Sequence, residues 1–387
     1  MNAIEYTHAG GSGAARYVAN LAGALAAQGI AVDLVCPNDF AYTEELTGSG
    51  VRIVMAPRSL AGARGPVAKL GRAALQSIVG AWRAGRLPNE SRLVHMNFVG
   101  IPLLALPVIV WLRLRGRRVI LTVHDVLPHR PLLGDRLTRA ERVPLAVLYR
   151  SADHLVVHYA SAGRQLRREF GIREAQVTVI PHGADVRAAA PPLGAATDAP
   201  LRLAVLGAIR PNKGVHLAIE AVQELRRRGR PIELTIAGQP GMPDADYWRT
   251  CQALIDRSPD GFHVTPTFLS DSEMRARLSE SDAVLLPYDA FDAQSGVAVD
   301  AISSGRAIIA TRVGGLEELV ERSGAGIPIE SASPDAVCAS IEEALRLGRS
   351  GLATLGAAGI VYARDHLSWQ KVAGLHVLLY RQVAATP

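Results

Sequence analysis

Short apolar runs alternate with helical patterns along this 387-residue chain, and that alternation restricts the fold more than any other feature. The strand-like runs of the first half are Ala3 to Tyr6, Ala31 to Cys36, Leu93 to Met96, Val119 to Val123, Leu155 to His158 and Val177 to Ile180. A helix from Ala14 to Gln28 separates the first two. The second half repeats the plan with Leu201 to Leu206, a helix Val215 to Arg228, Glu233 to Ala237, His263 to Thr265, Ala283 to Leu286, Ala307 to Ala310 and Gly326 to Ile329. Runs of this kind, apolar throughout, belong to parallel strands covered by helices on both faces. Between the halves lies Ala188 to Pro200, which has no periodicity and holds three prolines, so it reads as a linker. The expectation is an α/β protein of two doubly wound domains, 1–187 and 201–365. In open parallel sheets ligands bind beyond the carboxyl ends of the strands, and two such domains facing each other make one interdomain cleft.

Composition fits that size. The hydrophobic share of 49% is ample for two buried cores. The cysteines, Cys36, Cys251 and Cys338, are few and far apart, which argues against a disulfide framework or a zinc site and suits a reducing cytoplasm. The net charge is +6 and lysine occurs only at Lys69, Lys213 and Lys371, so nearly all the positive charge is arginine. Most of it reads as ordinary surface. Two clusters stand out: Arg58 to Arg86, with Arg64, Lys69, Arg72 and Arg83, and then Arg113, Arg115, Arg117 and Arg118. Such clusters suit anionic lipid or phosphate surfaces. The first residues, with Glu5 and His8, lack the layout of a signal peptide. The run Ile101 to Leu112 is too short to span a bilayer and reads as a buried helix. A cytoplasmic protein, peripheral at the inner membrane face at most, is expected.

Four segments carry chemistry. Gly10-Gly11-Ser12-Gly13 joins the first strand to the first helix, where glycines admit close backbone approach and a helix N-terminus offers free N–H groups. A phosphate or an acceptor hydroxyl fits there, and so does a plain tight turn in left-handed conformations. His124-Asp125 follows a strand directly; His124 is placed to bond a sugar hydroxyl, although a capping pair would look the same. In Gly207 to Gly214, Arg210 and Lys213 lie between a strand's end and a helix start, where a departing diphosphate develops charge. In Asp292 to Gly305, the N–H groups at Ser295, Gly296 and Val297 can meet phosphates, after Gln294. Asp300 lies one turn further on the same face and can hold a ribose diol.

With these residues in place, the chain resembles glycosyltransferase family 4, the retaining GT-B enzymes. The resemblance rests on the Gly10-Gly11 loop, Thr122-Val123-His124-Asp125, Val179-Ile180-Pro181-His182-Gly183-Ala184-Asp185, Gly207 to Gly214, Ile236-Ala237-Gly238, Asp292 to Gly305, Ala310-Thr311 with Gly314-Gly315-Leu316-Glu317-Glu318, and Leu367-Ser368-Trp369. It implies two facing Rossmann-like domains, the first for the acceptor and the second for a nucleotide diphosphate sugar. It implies a C-terminal helix, 366–387, that crosses back to the first domain. Catalysis would fall to His124, Arg210 and Lys213, and donor binding to Gly10, Gly11, Asp292, Gln294, Ser295, Gly296, Val297 and Asp300. Neither a metal nor a cofactor is implied, and no nucleic acid. The acceptor would be a glycan or a polyprenyl-linked sugar, in cell-surface polysaccharide synthesis, with an anionic membrane as a further partner. Two departures stand out. The family commonly carries an arginine where this chain has Ala208, and Arg210 takes over that work. It commonly has two glutamates where this chain has Asp292 and Asp300, each a methylene shorter. The competing readings are a non-catalytic subunit that binds nucleotide or glycan, and a sugar-nucleotide epimerase on the same fold.

Overall fold

The computed structural model describes every residue except 12, 61–64, 89–91, 99–100, 128–138, 187–198, 242–243, 290, 292 and 386–387. Asp292, Arg64 and nearly all of the expected linker therefore lie outside the described residues. The chain divides into two compact units, Met1–Gly183 with Trp369–Pro387, and Ala184–Ser368.

Unit 1 runs β1 (Asn2–Thr7), α1 (Gly13–Ala27), β2 (Ala31–Pro37), β3 (Val51–Ala56), α2 (Pro66–Arg86), β4 (Leu93–Phe98), α3 (Pro102–Leu114), β5 (Arg118–Thr122), α4 (Arg139–Ser151), β6 (His154–Val157), α5 (Ala160–Phe170) and β7 (Val177–Val179). Its seven strands stand in the order β3-β2-β1-β4-β5-β6-β7, all parallel. One face of the sheet packs on α2 to α5, through residues such as Ala84, Ile109, Leu148 and Leu166. The other face packs on α1, through Leu21 and Leu25, and on the chain's last helix, through Val372 and Tyr380.

Unit 2 runs β8 (Leu201–Leu206), α6 (Val215–Arg227), β9 (Ile232–Ala237), α7 (Ala245–Arg257), β10 (Phe262–Thr265), α8 (Asp271–Glu280), β11 (Ala283–Leu286), α9 (Gly296–Ser303), β12 (Ala307–Thr311), α10 (Gly314–Ser323), β13 (Gly326–Ile329) and α11 (Pro334–Tyr362). Its parallel sheet has the order β10-β9-β8-β11-β12-β13. A single π turn, Ala363–Leu367, leads to α12 (Trp369–Ala385), which belongs to unit 1.

Two expectations need correcting. The run Ile101 to Leu112 does form a helix, α3, but only one side of it is buried. Leu103 and Val110 are exposed, as are Trp111 and the terminal Leu114. The apolar run has no polar stripe to mark a water side, so composition alone made it look wholly internal. Arg117 is no part of a surface cluster either. It is buried, and its guanidinium donates to the carbonyls of Leu87 and Pro88. Strand β3 was missed; it is the half-exposed edge of its sheet, where the apolar pattern is weakest.

Candidate functional site

Each sheet has one place where strand order reverses direction: between β1 and β4 in unit 1, and between β8 and β11 in unit 2. Loops leaving the carboxyl ends of strands part there and open a crevice.

In unit 2 the loop after β8 turns through a 3₁₀ turn, Pro211–Lys213, into α6. Gly214 makes that entry possible: its φ is 61°, and a side chain on it would strike the Pro287 carbonyl. The ammonium of Lys213 stands 3.7 Å above the centre of the Tyr288 ring and 4.3 Å from that of Phe291. Both rings lie in the loop after β11. The backbone ties the two loops, since Asp289 N–H donates to the Asn212 carbonyl at 3.0 Å. The Tyr288 hydroxyl reaches the Ser295 hydroxyl at 3.2 Å, and Ser295 caps α9 by accepting from the Ala298 N–H at 3.3 Å. On α9 the half-buried residues are Gly296, Val297 and Asp300, while Ala298, Val299, Ala301 and Ile302 are buried. The accessible strip of the helix thus starts at its N-terminus and passes through Asp300. Gln294, also half-buried, precedes the cap. Arg210 is exposed. A cation held on aromatic faces beside a helix N-terminus is an arrangement suited to a phosphate.

In unit 1, Gly10 and Gly11 follow β1, but neither takes a positive φ, so a left-handed turn is not what they supply. Gly10 is needed for close approach. A side chain there would collide with Ser59, which Asp39 holds through the Ser59 N–H at 2.7 Å and hydroxyl at 2.8 Å. Gly11 is exposed and open, just before α1.

His124, beyond β5, is half-buried and contacts three elements. Its Nε2 donates to the Asn97 carbonyl at 2.8 Å, and its Nδ1 lies 3.0 Å from His158 Nε2. His158 in turn donates from Nδ1 to the Ile180 carbonyl at 3.0 Å. Carbonyls only accept, so each imidazole already has its N–H committed. The nitrogens that face each other are two lone pairs unless one more proton lies between them. Burial works against that charge and pushes both imidazoles below the ordinary histidine range, with Asp125 opposing the effect at His124. Tyr17 from α1 is the hub of this group. Its ring centroid is 5.1 Å from those of His124 and His182, 5.3 Å from that of His158, and 5.4 Å from that of Trp369.

Behind His124 lies a fully buried carboxylate, Glu5 on β1. It accepts from the Asn97 amide at 2.5 Å and the Tyr380 hydroxyl at 2.7 Å. His95 Nδ1 is 3.3 Å from Glu5 and 2.6 Å from the Tyr380 hydroxyl. Burial alone would raise the Glu5 carboxyl; His95 and the bonds from His95, Tyr380 and Asn97 outweigh it and hold the group below its ordinary value. Asn97 thus links a buried charge to His124.

The structure brings Lys213, Ser295, Gly296, Val297 and Asp300 into one region of unit 2, and His124 with Asp125 into unit 1, where Gly10 and Gly11 also stand. His158, Asn97 and Glu5 escaped the sequence reading. A signal for His158 existed: it follows an apolar strand, as His124 does.

Residues 11–188 match the family model described as Glycosyltransferase Family 4, and residues 200–346 that described as Glycosyl transferases group 1. Among curated proteins, the glycogen synthase of Mycobacterium tuberculosis is 29% identical over 249 residues, 63% of this chain and 58% of its own length. The chain therefore spans little more than half of that relative. The D-inositol 3-phosphate glycosyltransferase of Corynebacterium glutamicum is 26% identical over 95% of this chain and 91% of its own. Among solved structures, Anabaena HepE in complex with UDP and glucose covers 100% of both chains at a TM-score of 0.76 and 15% identity.

Proposed function

Because the chain belongs to glycosyltransferase family 4, we propose that it moves a sugar from a nucleotide diphosphate sugar to a glycan or lipid-linked acceptor, with retention of anomeric configuration. The observation that carries this reading is the Lys213 ammonium seated on Tyr288 and Phe291 beside the Ser295-capped start of α9. An ammonium fixed before the reaction is worth most against charge that appears during it, such as that of a departing diphosphate. Gly296 and Val297 offer N–H groups to the phosphates, Asp300 takes the ribose, and Asp292 and Gln294 take the sugar. Arg210 stands for the arginine replaced by Ala208. His124 contributes to the acceptor side, and Gly10 and Gly11 contribute to donor binding.

We read transfer as independent of metal, the diphosphate charge being met by Lys213, Arg210 and the α9 N-terminus. The role is one in cell-surface polysaccharide synthesis on the cytoplasmic side of a membrane. The free, buried state of Cys36, Cys251 and Cys338 supports a reducing compartment. Among the described residues no helix is long and apolar enough to cross a membrane.

The test is incubation of the purified chain with UDP-, GDP- and ADP-linked sugars, scoring thermal shift and release of nucleoside diphosphate, with and without EDTA. Stabilisation by one donor class with turnover that survives EDTA is expected. Binding without turnover across acceptors would transfer the reading to a non-catalytic nucleotide-binding subunit, and loss in EDTA would remove metal independence.

A further inference from the structure

The helix layer formed by α2, α3 and α4 is apolar on both sides. Among the described residues, eleven of the nineteen exposed large hydrophobic side chains lie on these three helices. They are not scattered. On α2, Val67, Leu75, Ile78 and Trp82 recur at eight-, three- and four-residue steps, which places them on one stripe. Ala81 and Ala84 of α2 are buried in the core against the sheet. On α3, Leu103, Val110 and Leu114 share one face by the same rule, opposite the buried Ala105, Ile109 and Leu112. Val67, Ile78 and Leu114 are 84%, 68% and 78% exposed. The helices are neighbours: Trp111 of α3 donates its indole N–H to the Ala81 carbonyl of α2 at 3.1 Å. A monomeric surface rarely leaves so much contiguous apolar area in water.

Basic residues outnumber acidic ones beside this face: α4 carries Glu141 with Arg139, Arg142 and Arg150, and Arg113 of α3 is paired with Asp153 at 3.7 Å. Neither α2 nor α3 contains an acidic residue, while Lys69, Arg72, Arg83 and Arg86 lie on α2 and Arg113 on α3. Arg86 stacks on the Trp82 ring at 4.3 Å and Arg115 approaches that of Trp111 at 5.8 Å. These pairs put an apolar ring and a cation side by side, as at a boundary between hydrocarbon and water. A second copy of the chain is a poor occupant, because joining two such faces would set these cations against each other.

We propose that the outward face of α2, α3 and α4 seats on an anionic bilayer, with Val67, Ile78, Trp82, Val110 and Leu114 entering the acyl boundary and Arg86 and Arg115 meeting lipid phosphates. This deepens the reading of a lipid-linked acceptor, on which it rests for its purpose though not for its observations. Binding has two components. The cations draw the protein in and are screened by salt, whereas apolar insertion survives salt.

The test is flotation of the full chain with vesicles of phosphatidylcholine alone or with phosphatidylglycerol, at 0.1 M and 1 M NaCl, without nucleotide sugar. Wild type is expected to float with anionic vesicles at low salt and to keep a measurable fraction at high salt. Arg86→Gln/Arg115→Gln should cut low-salt partitioning about fivefold per charge removed. Ile78→Glu/Leu114→Glu should abolish the salt-resistant fraction. Trp82 emission, taken as the difference from Trp82→Phe, should shift to the blue and be quenched by brominated acyl chains. All variants change exposed side chains, and unchanged melting confirms that they fold. The proposal is overturned if wild type does not float, if its binding vanishes entirely in salt, or if Trp82 stays unquenched. It is also overturned if lipid-free protein is a dimer that Ile78→Glu/Leu114→Glu dissociates. Failure here leaves donor turnover, measured without vesicles, untouched.

Discussion

Lys213 is the residue whose removal bears most directly on the unit 2 site. Lys213→Ala should leave the fold intact and lower kcat about 100-fold or more, with smaller change in KM, since the charge it meets grows in the transition state. Steady-state kinetics beside circular dichroism check this, and near-normal turnover would pass the role to Arg210. Asp300→Ala should weaken nucleoside diphosphate and nucleotide sugar alike, by the roughly 1.5–3 kcal/mol of a charge-assisted hydrogen bond, as read by titration calorimetry. In unit 1, His158→Phe removes the nitrogen that faces His124 and should lower transfer roughly 10- to 100-fold through misplacement, with nucleoside diphosphate affinity unchanged. His158→Gln, whose amide still reaches both neighbours, should recover part of the loss; equal defects in the two variants would assign His158 to packing alone. Lys213 was legible in the sequence because a lysine is rare in this arginine-rich chain. The pair of histidines was not. Ile120 pairs with His154 across β5 and β6, and the same register carried forward brings His124 to His158. Strand pairing creates that contact, and no local spacing announces it.

Strands with buried neighbours on both sides could be found from apolar runs alone, and β8, β11 and β12 all lie within a residue of the expected spans. Elements at the margin could not. β3 is an edge strand with only Ala56 buried, and α3 is apolar on the side that faces away from the core. Period tells which residues share a face, but a second apolar face needs a third dimension to be seen. The last helix shows how an element can carry chemistry from far along the chain. Tyr380 on α12 donates to Glu5 on β1, so the buried carboxylate depends on a residue 375 positions away. Tyr380→Phe removes that donor and leaves a buried acceptor with one bond fewer, which should cost about 1–3 kcal/mol. Denaturant melts should show the loss in unit 1. A change below the error of the melt would mean that His95 and Asn97 suffice to hold the charge.

Acid stability differs between the units. Burial pushes His8 down to about 4, and burial with the nearby His95 pushes His376 down to about 3, against an ordinary value of 6.5. Both are neutral in the fold: the Tyr6 hydroxyl lies 2.8 Å from His8 Nε2, and His376 Nδ1 donates to the Val372 carbonyl at 2.9 Å while Nε2 is buried without a partner. The unfolded chain takes up these protons below pH 6.5 and the folded chain does not until about pH 4. Stability therefore falls as pH drops through that window, by about 2 kcal/mol for each histidine at pH 5. Among the described residues unit 2 has no buried histidine, so melts from pH 7 to pH 5 should separate into an early unit 1 transition and a later unit 2 transition. A single transition that does not move with pH would contradict the assignment. The division of the chain has one more effect, on its making. Unit 1 begins at Met1, stops at Gly183 and resumes only at Trp369. At the ~5–20 residues per second of synthesis, the wait for α12 is on the order of 10–40 s. Through that time the sheet face that α12 will cover, and the carboxylate of Glu5, stand without it. Unit 2, an unbroken stretch that starts later, is finished first, and unit 1, which leaves the ribosome ahead of it, is completed after it.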